Sequence, residues 1–241
     1  MKIARMGIIS TAVVIAFGIL VIIPPYLPQQ KALTVMLFFD VKDTKNLPQW
    51  CNDLSDILQT HNIEATVFVV GQVADQYPQC VKTLSKRNDV GSQTYNHVGL
   101  INLDYQTQLD EVQNGKNAVD KAGNIQSKIF KAPFGSTDEN IYSILNRSDI
   151  LVDFSYDKQY NKYYQGKFIW FSDSVYDGSK RTPEFFKNLE SNDPIVINFD
   201  NHIPVKKIDE YVSTIKSKHI LFFKASQVTG LELTTHLEEK S

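Results

Sequence analysis

The order of apolar and amphipathic segments predicts an α/β protein built on a parallel sheet. Residues 33–39 and 65–70 are largely apolar runs, typical of strands that are buried on both faces. Residues 109–122 carry apolar side chains at helical spacing, and Gly123 and Asn124 follow as a helix-ending pair. Strands that alternate with helices over about 200 residues favour a parallel sheet, either open or closed into a barrel.

Further segments continue this alternation along the chain. Pro48 is suited to the first turn of a helix, because that turn does not use the backbone N–H that proline lacks. Residues 159–170 are rich in Tyr and Lys without a clear period, and residues 234–241 are predicted to be a frayed polar end. The remaining helices are predicted at 48–61, 76–87, 140–146, 183–189 and 205–216, and the remaining strands at 90–95, 129–130, 150–154, 194–199 and 219–223.

The composition excludes some classes of function. The 241 residues include 25 Lys+Arg and 27 Asp+Glu, giving a net charge of −2. This balance gives no electrostatic support for a nucleic-acid partner. The two cysteines are also too few and too far apart in the sequence for a zinc cluster held by thiolates.

The amino-terminal segment predicts a membrane anchor. Residues 7–23 are apolar except for Ser10 and Thr11, follow Lys2 and Arg5, and end at a proline pair. The length suits a thin bilayer, and the preceding positive charges predict a single-pass protein whose carboxyl-terminal domain lies outside the cytoplasm. A cleaved signal peptide is the alternative. The predicted parts are a membrane anchor or signal segment at 1–24, a linker at 25–32, one domain at 33–230 and a polar tail at 231–241.

The predicted location bears on the two cysteines. Cys51 and Cys80 each fall near the start of a predicted helix, so that the two side chains can meet. Outside the reducing cytosol such a pair can form a disulfide. Two separately buried thiols are the alternative, and the sequence leaves both open.

Several segments, taken in order, resemble the polysaccharide deacetylase family, which has the NodB-homology domain and is carbohydrate esterase family four. The resemblance covers residues 33–226 and implies a distorted (β/α) barrel that removes acetyl groups from N-acetylated glycans with a divalent metal such as zinc. The segments that carry it are Asp40 at the end of the first strand, ATVFVVG at 65–71, YP at 77–78, DVGSQTYNH at 89–97 and KAPFG at 131–135.

The catalytic motifs depart from the family pattern. The family places two aspartates after its first strand, a general base and a metal ligand, and this chain has Asp40 followed by Val41. The two histidine ligands of the family correspond to Gln93 and His97. The arginine that orients the base corresponds to Lys131, and the histidine general acid is aligned with Phe199, before Asp200.

These departures predict a weakened or lost deacetylase. A catalytic zinc usually has three protein ligands, and neither valine nor a neutral amide replaces one well. Lysine holds a carboxylate as a point charge rather than in the bidentate fork of arginine. Phenylalanine cannot donate a proton to a leaving amine. The candidate catalytic residues are Asp40, Lys131 and Asp200, and an alternative for Asp40 is a buried carboxylate satisfied by Lys131 and backbone donors.

Other side chains are candidates for a rearranged metal site or for a sugar-binding surface. His97 is the candidate metal ligand, joined by Asp43 or His202 in a rearranged site with Asp40 and Asp200. Three hypotheses follow: a glycan-binding domain with little or no activity, an active N-deacetylase with a rearranged metal site, and a structural envelope protein. The candidate substrate-binding residues are Tyr95, Pro133, Phe134 and Trp170.

Overall fold

The structure is a computed structural model, which describes residues 32–155, 163–164, 167–169, 175–187, 189, 191, 193–216 and 220–238. The predicted membrane segment therefore lies outside the described residues. In the part of the chain that is described, no helix is both long enough and apolar enough to cross a membrane.

Strands and helices alternate along the described chain, which confirms the predicted α/β class. The strands are β1 (Leu33–Val41), β2 (Thr66–Val69), β3 (Asp89–Ser92), β4 (Ile125–Ser127), β5 (Ile129–Phe130), β6 (Val152–Asp153), β7 (Tyr163–Tyr164), β8 (Lys167–Ile169), β9 (Val175–Asp177), β10 (Ile195–Asp200), β11 (Ile220–Phe222) and β12 (Thr234–His236). The helices are α1 (Leu47–Thr60), α2 (Gly71–Gln76), α3 (Pro78–Leu84), α4 (Tyr105–Gly123), α5 (Ile141–Arg147), α6 (Pro183–Lys187), α7 (Val205–Lys216) and α8 (Ala225–Thr229), with a 3₁₀ turn at Pro133–Gly135.

Ten of the described strands form one sheet in the order β7-β8-β6-β5-β3-β2-β1-β10-β9, with β11 paired to β1. All of these pairs are parallel except β7 with β8. The order is an open path, so that the described sheet is a curled half-barrel rather than a closed one. In β1 and β10 the register places Asp40 beside Asp200, at the carboxyl ends of both strands.

The sheet separates two faces of the core because side chains alternate along each strand. On the helix side, Val35, Leu37, Phe39 and Val41 pack against the helices. On the inner side, the rings of Phe38, Phe68 and Phe154 form a cluster with centroids 5.2 to 5.8 Å apart. This inner aromatic cluster lies below the carboxyl ends of the central strands.

Two predicted elements differ from the structure. The helix predicted at 76–87 is shorter in the structure, where α3 covers Pro78–Leu84. A separate helix, α2, was not predicted and ends at Gln76, before Tyr77, whose φ of −131° and ψ of 59° are not helical. Pro78 explains the break, because proline disfavours helical backbone at the residue before it. The predicted frayed end is also wrong for Thr234–His236, which pair antiparallel with β4 as β12.

The cysteines form a disulfide between Cys51 of α1 and Cys80 of α3, with their Cα atoms 5.4 Å apart. Of the two alternatives left open by the sequence, the structure contains the bridge. It joins two helices on the same side of the sheet.

Candidate functional site

The carboxylate of Asp40 lies on the inner face of the sheet, at the end of β1. Met36 and Phe38 of the same strand belong to the inner core cluster. Asp40 continues this alternation and faces inward, with only 6% of its surface exposed. Val41 faces the opposite way and is fully buried among the residues on the helix side.

A closed network of hydrogen bonds surrounds the Asp40 carboxylate. The Lys131 ammonium donates to both oxygens of Asp40 at 2.7 Å and to Oδ1 of Asn198 at 2.8 Å. Nδ2 of Asn198 donates to Oδ2 of Asp40, also at 2.8 Å. We call these three residues, Asp40, Lys131 and Asn198, the pocket floor. This is the alternative given above for Asp40, a buried carboxylate whose hydrogen bonds are satisfied by Lys131.

The predicted position of the general acid is corrected by one residue. Phe199 faces the helix side, where its ring stacks on Phe39 at a centroid distance of 5.9 Å. Its neighbour Asn198 faces the inner side beside Asp40. Because alternate residues of a strand point to opposite faces, Asn198 and Asp200 of β10 share a pocket with Asp40, whereas Phe199 between them does not.

Gln93 occupies the place of a family ligand, but its amide is already fixed. Its Nε2 donates to the backbone carbonyl of Phe68 at 2.9 Å. A carbonyl only accepts hydrogen bonds, so that the NH₂ end of Gln93 must face it. Gln93 lines the pocket, and its other end is a carbonyl oxygen, a poor ligand for zinc.

The donor set does not fit the divalent metal that the family implies. Val41 points away from the pocket and Gln93 is held by Phe68. Among the described residues, no three side chains of His, Cys, Asp or Glu come together as a metal site would require. Asp43 is exposed and accepts from the backbone N–H of Lys45. His202 is also exposed, with its Nδ1 3.4 Å from Oδ2 of Asp200, and a site that uses either residue stays a prediction.

A cavity of about 620 Å³ opens above the pocket floor. It brings together five of the predicted site residues, and Gln93 also lines it. The five are Asp40, His97, Lys131, Phe134 and Asp200. The lining residues that were not predicted are Lys42, Gly135, Ser155, Val175, Asp177 and Asn198.

Carboxylates and ammonium groups around this pocket are paired with one another. Lys42 Nζ lies 3.0 Å from Oδ2 of Asp200. Lys180 Nζ lies 3.0 Å from Oδ2 of Asp177. With the ion pair of the pocket floor, every lining carboxylate has an ammonium partner. The lining therefore presents hydrogen-bonding groups with little net charge.

Lys42 is a pocket residue that sequence reasoning missed. The side chain of the buried Asn201 fixes its backbone, because Oδ1 accepts from the N–H groups of both Lys42 and Asp43 at 3.0 Å. The available signal was its place directly after the first strand, where side chains reach the carboxyl edge of the sheet. Ser155 was missed as well, and its Oγ accepts from the N–H of Ala132 at 2.8 Å.

One side of the pocket is aromatic. The rings of His97 and Phe134 meet with centroids 5.4 Å apart and planes at 60°. We call these two residues the pocket wall. Phe134 is 83% exposed, although its side chain is one of the largest apolar ones. Its backbone has φ 61° and ψ 12°, in the left-handed region that costs a residue other than glycine about 1–2 kcal/mol.

The ring of His97 is half-buried, and its environment disfavours the protonated, charged form of the imidazole. Burial lowers the pKa of His97 below its ordinary value, and the positive charge of Lys42 lowers that pKa further. The carboxylates of Asp40 and Asp200 oppose these effects without cancelling them. At neutral pH the wall therefore presents a neutral imidazole beside the Phe134 ring.

The remaining predicted substrate-binding residues lie elsewhere. The hydroxyl of Tyr95 donates to Oδ2 of Asp75 at 3.1 Å, and the residue is not part of the pocket lining. Pro133 is buried at the start of the 3₁₀ turn. Trp170 lies outside the described residues.

The fold and the site define an α/β half-barrel protein with a ligand-sized pocket at the carboxyl edge of its parallel sheet. The model of the polysaccharide deacetylase family matches residues 28–151, which is just over half of the chain. The chain belongs to the polysaccharide deacetylase family.

Two curated relatives are peptidoglycan deacetylases. A peptidoglycan N-acetylglucosamine deacetylase of Bacillus cereus is 26% identical over 114 residues, covering 47% of this chain and 40% of the relative. A peptidoglycan N-acetylmuramic acid deacetylase of Bacillus subtilis is 26% identical over 127 residues, covering 52% of this chain and 26% of the relative. The chain thus spans less than half the length of these relatives.

Solved structures share the fold. A carbohydrate esterase family 4 pseudoenzyme from Bacillus anthracis superposes with a TM-score of 0.61 at 15% identity, covering 83% of this chain and 66% of that one. A family 4 carbohydrate esterase from Streptomyces lividans, in complex with acetate, gives a TM-score of 0.60 at 20% identity, covering 83% of this chain and 96% of that one. At these identities the likeness concerns the fold alone.

Proposed function

We propose that this protein binds N-acetylated glycans of the cell envelope in the pocket above Asp40 and deacetylates them slowly or not at all. The observation that carries this proposal is the pocket floor. There, the carboxylate of a would-be base is bound through both oxygens to Lys131, and the neighbouring inward side chain is the amide of Asn198.

The floor lacks the groups that amide hydrolysis needs. Expelling an amine requires a proton donor, and the amide of Asn198 does not titrate in water. Activating a water requires either a free base or a metal, and the donors around the pocket do not fit a metal. The polar groups that line the pocket above the floor are suited to hold a ligand in place.

The lining offers polar groups for a carbohydrate. Gln93 offers a carbonyl oxygen to an N–H or O–H of the ligand, because its NH₂ end is held by Phe68. Lys42 offers a partly exposed ammonium, and His97 a neutral imidazole. A volume of about 620 Å³ lies within the usual range of ligand pockets, about 300–1,000 Å³.

We also propose that the domain lies outside the cytoplasm, attached to the membrane through residues 7–23. The apolar character of those residues supports an anchor. The disulfide between Cys51 and Cys80 supports an oxidising compartment. Both curated relatives are named for action on peptidoglycan, which favours a cell-wall glycan as the ligand.

The alternative function is an active N-deacetylase with a rearranged metal site. What favours it is the presence of Asp40, His97 and Asp200 in one pocket, with His202 beside Asp200. This enzyme would need Asp43 or His202 to move toward His97.

One assay separates the two functions. The full chain is incubated with N-acetylglucosamine oligomers, while acetate release and bound zinc, cobalt and nickel are measured. We expect no acetate above the buffer background and less than stoichiometric metal. Stoichiometric metal with acetate release that is lost in Asp40→Asn, but kept in the exposed control Asp56→Asn, would contradict the proposal.

A further inference from the structure

The Lys131 ammonium is surrounded by the pocket floor as a bound cation would be. Its Nζ lies 2.7 Å from each oxygen of the Asp40 carboxylate and 2.8 Å from Oδ1 of Asn198. An ammonium has three N–H donors and no acceptor, so that these oxygens match its donors in number. The ring of Phe68 lies on a further side, with its centroid 5.5 Å from Nζ. Carboxylate and amide oxygens and an aromatic face all stabilise a positive charge.

The protein holds these oxygens in fixed positions. Asp40 is 6% exposed and Lys131 is 7% exposed. Nδ2 of Asn198 donates to Oδ2 of Asp40 at 2.8 Å, so that the oxygen end of the amide faces the ammonium. The backbone N–H of Lys131 donates to the carbonyl of Ser92 at 3.1 Å, which fixes the chain that carries the lysine. The oxygens therefore converge on one point without the help of a ligand.

Hard metal ions bind to the same kinds of oxygen. Magnesium, calcium and manganese prefer carboxylate and amide oxygens. In the floor, the carboxylate of Asp40 and the amide oxygen of Asn198 already hold a positive charge. This charge is covalently attached to the chain, so that its effective concentration at the oxygens is high. A divalent ion would have to displace the ammonium, and the displaced ammonium would repel it from nearby.

The chemistry of lysine suits this position. An ammonium is a compact charge whose donors can meet three oxygens around one point, whereas a guanidinium presents its donors in a planar fork. The arginine of the family corresponds to Lys131 in this chain. The departure in sequence thus coincides with the cation-like surroundings of Nζ in the structure.

We infer that Lys131 supplies, from within the chain, the cation that this pocket holds, and that its ammonium closes the floor to divalent metal ions. The misfit between the donor set and the metal of the family then has a second cause, besides the replacement of ligands by Val41 and Gln93. The inference goes beyond the proposed function, because it concerns the floor whether or not a glycan binds above it.

The test is chemical rescue of the full chain. Lys131→Ala removes the end of the side chain, which n-propylammonium can replace atom for atom. We expect this amine, at about ten times its dissociation constant, to raise the melting temperature of Lys131→Ala by about 3–5 °C. The wild type and the variant Lys45→Ala, an exposed control, should not respond. The double variant Asp40→Asn with Lys131→Ala should not respond either, because it lacks the carboxylate.

Neutral n-propanol separates the charge of the amine from its hydrocarbon chain. We expect n-propanol to leave the melting temperature of Lys131→Ala unchanged. An equal rise in n-propanol and in n-propylammonium would overturn the inference, as would no rise in the amine. Either result leaves the proposed glycan binding to be decided by its own assay.

A second measurement uses the wild type, so that it holds even if Lys131→Ala does not fold. In the NMR spectrum of the full chain labelled with ¹⁵N at lysine, the Lys131 ammonium should give a signal that is protected from exchange with solvent. Stoichiometric Mn²⁺ should leave this signal unchanged. Loss of the signal on addition of Mn²⁺ would place the paramagnetic ion at the floor and overturn the inference, as would an ammonium that exchanges rapidly before Mn²⁺ is added.

Discussion

The pocket floor and the pocket wall differ in what they bury and what they expose in the same cavity. In the floor, the charged groups of Asp40 and Lys131 are buried and satisfy each other. In the wall, the ring of Phe134 is exposed and its backbone is held in a left-handed conformation. The polar groups of the floor bond to one another and are not free for a ligand, whereas the apolar ring of the wall is exposed. This difference supports the proposed role in binding.

The largest effect is expected from breaking the ion pair of the floor. Lys131→Met leaves Asp40 buried without its ammonium and should lower the free energy of unfolding by about 3–5 kcal/mol, as for other buried pairs. The double variant Asp40→Asn with Lys131→Met should recover most of that loss. Urea denaturation of the wild type, both single variants and the double variant measures the coupling. A loss below about 1 kcal/mol in Lys131→Met would show that the floor is not a closed pair.

The next effect distinguishes two adjacent residues of β10. Phe199→His places a polar ring in the core against Phe39 and should cost about 3 kcal/mol or more. Asn198→His lies in the pocket, where it loses two hydrogen bonds of the floor, and should cost less than Phe199→His, about 1–2 kcal/mol. Thermal or urea unfolding of both variants makes the comparison. The reverse order would place Phe199 in the pocket.

The smallest expected effect is that of Lys42 on the pKa of His97 in the pocket wall. Because Lys42 lowers the pKa of His97, Lys42→Gln should raise that pKa toward its ordinary value of 6.5. NMR titration of the imidazole protons measures the shift directly, with Lys45→Gln as an exposed control. An unchanged pKa in Lys42→Gln would mean that this ammonium does not act on the wall.

The same lowered pKa fixes the sign of a pH effect on stability. A histidine that binds its proton more weakly in the folded state stabilises the fold above its unfolded pKa, near 6.5, and loses this contribution as the pH falls below it. His97→Phe should therefore flatten the dependence of stability on pH in that acidic range. A steeper dependence in the variant would contradict the assignment.

The strand that carries Asp40 could be predicted because its apolar run is long. The pairing of Asp40 with Lys131 was one of the alternatives, because the order of the motifs places both residues in the same site. It misplaced the general-acid position because the motif was aligned on Asp200, the aspartate that ends it. Strand alternation identifies Asn198 as the inward residue, and it is the one polar side chain in the run at 195–199.

Other features were not accessible to sequence reasoning. The strand β12 is polar and pairs with β4, and no apolar pattern in the sequence predicts it. The exposure of Phe134 depends on its left-handed φ, which sequence statistics do not predict for phenylalanine. The position of Lys42 after the first strand was a usable signal, but the hydrogen bond that fixes its backbone comes from Asn201, 159 residues away in the sequence, and could not be predicted.

The most direct test of binding without hydrolysis is isothermal calorimetry of the full chain with the N-acetylglucosamine tetramer at two temperatures. Binding alone gives heats that saturate, with the signal returning to the baseline after each injection. Turnover gives a baseline that stays displaced while substrate remains. We predict saturable heats with a full return to baseline. A sustained displacement that disappears in Asp40→Asn, or no heat at either temperature, would contradict the account.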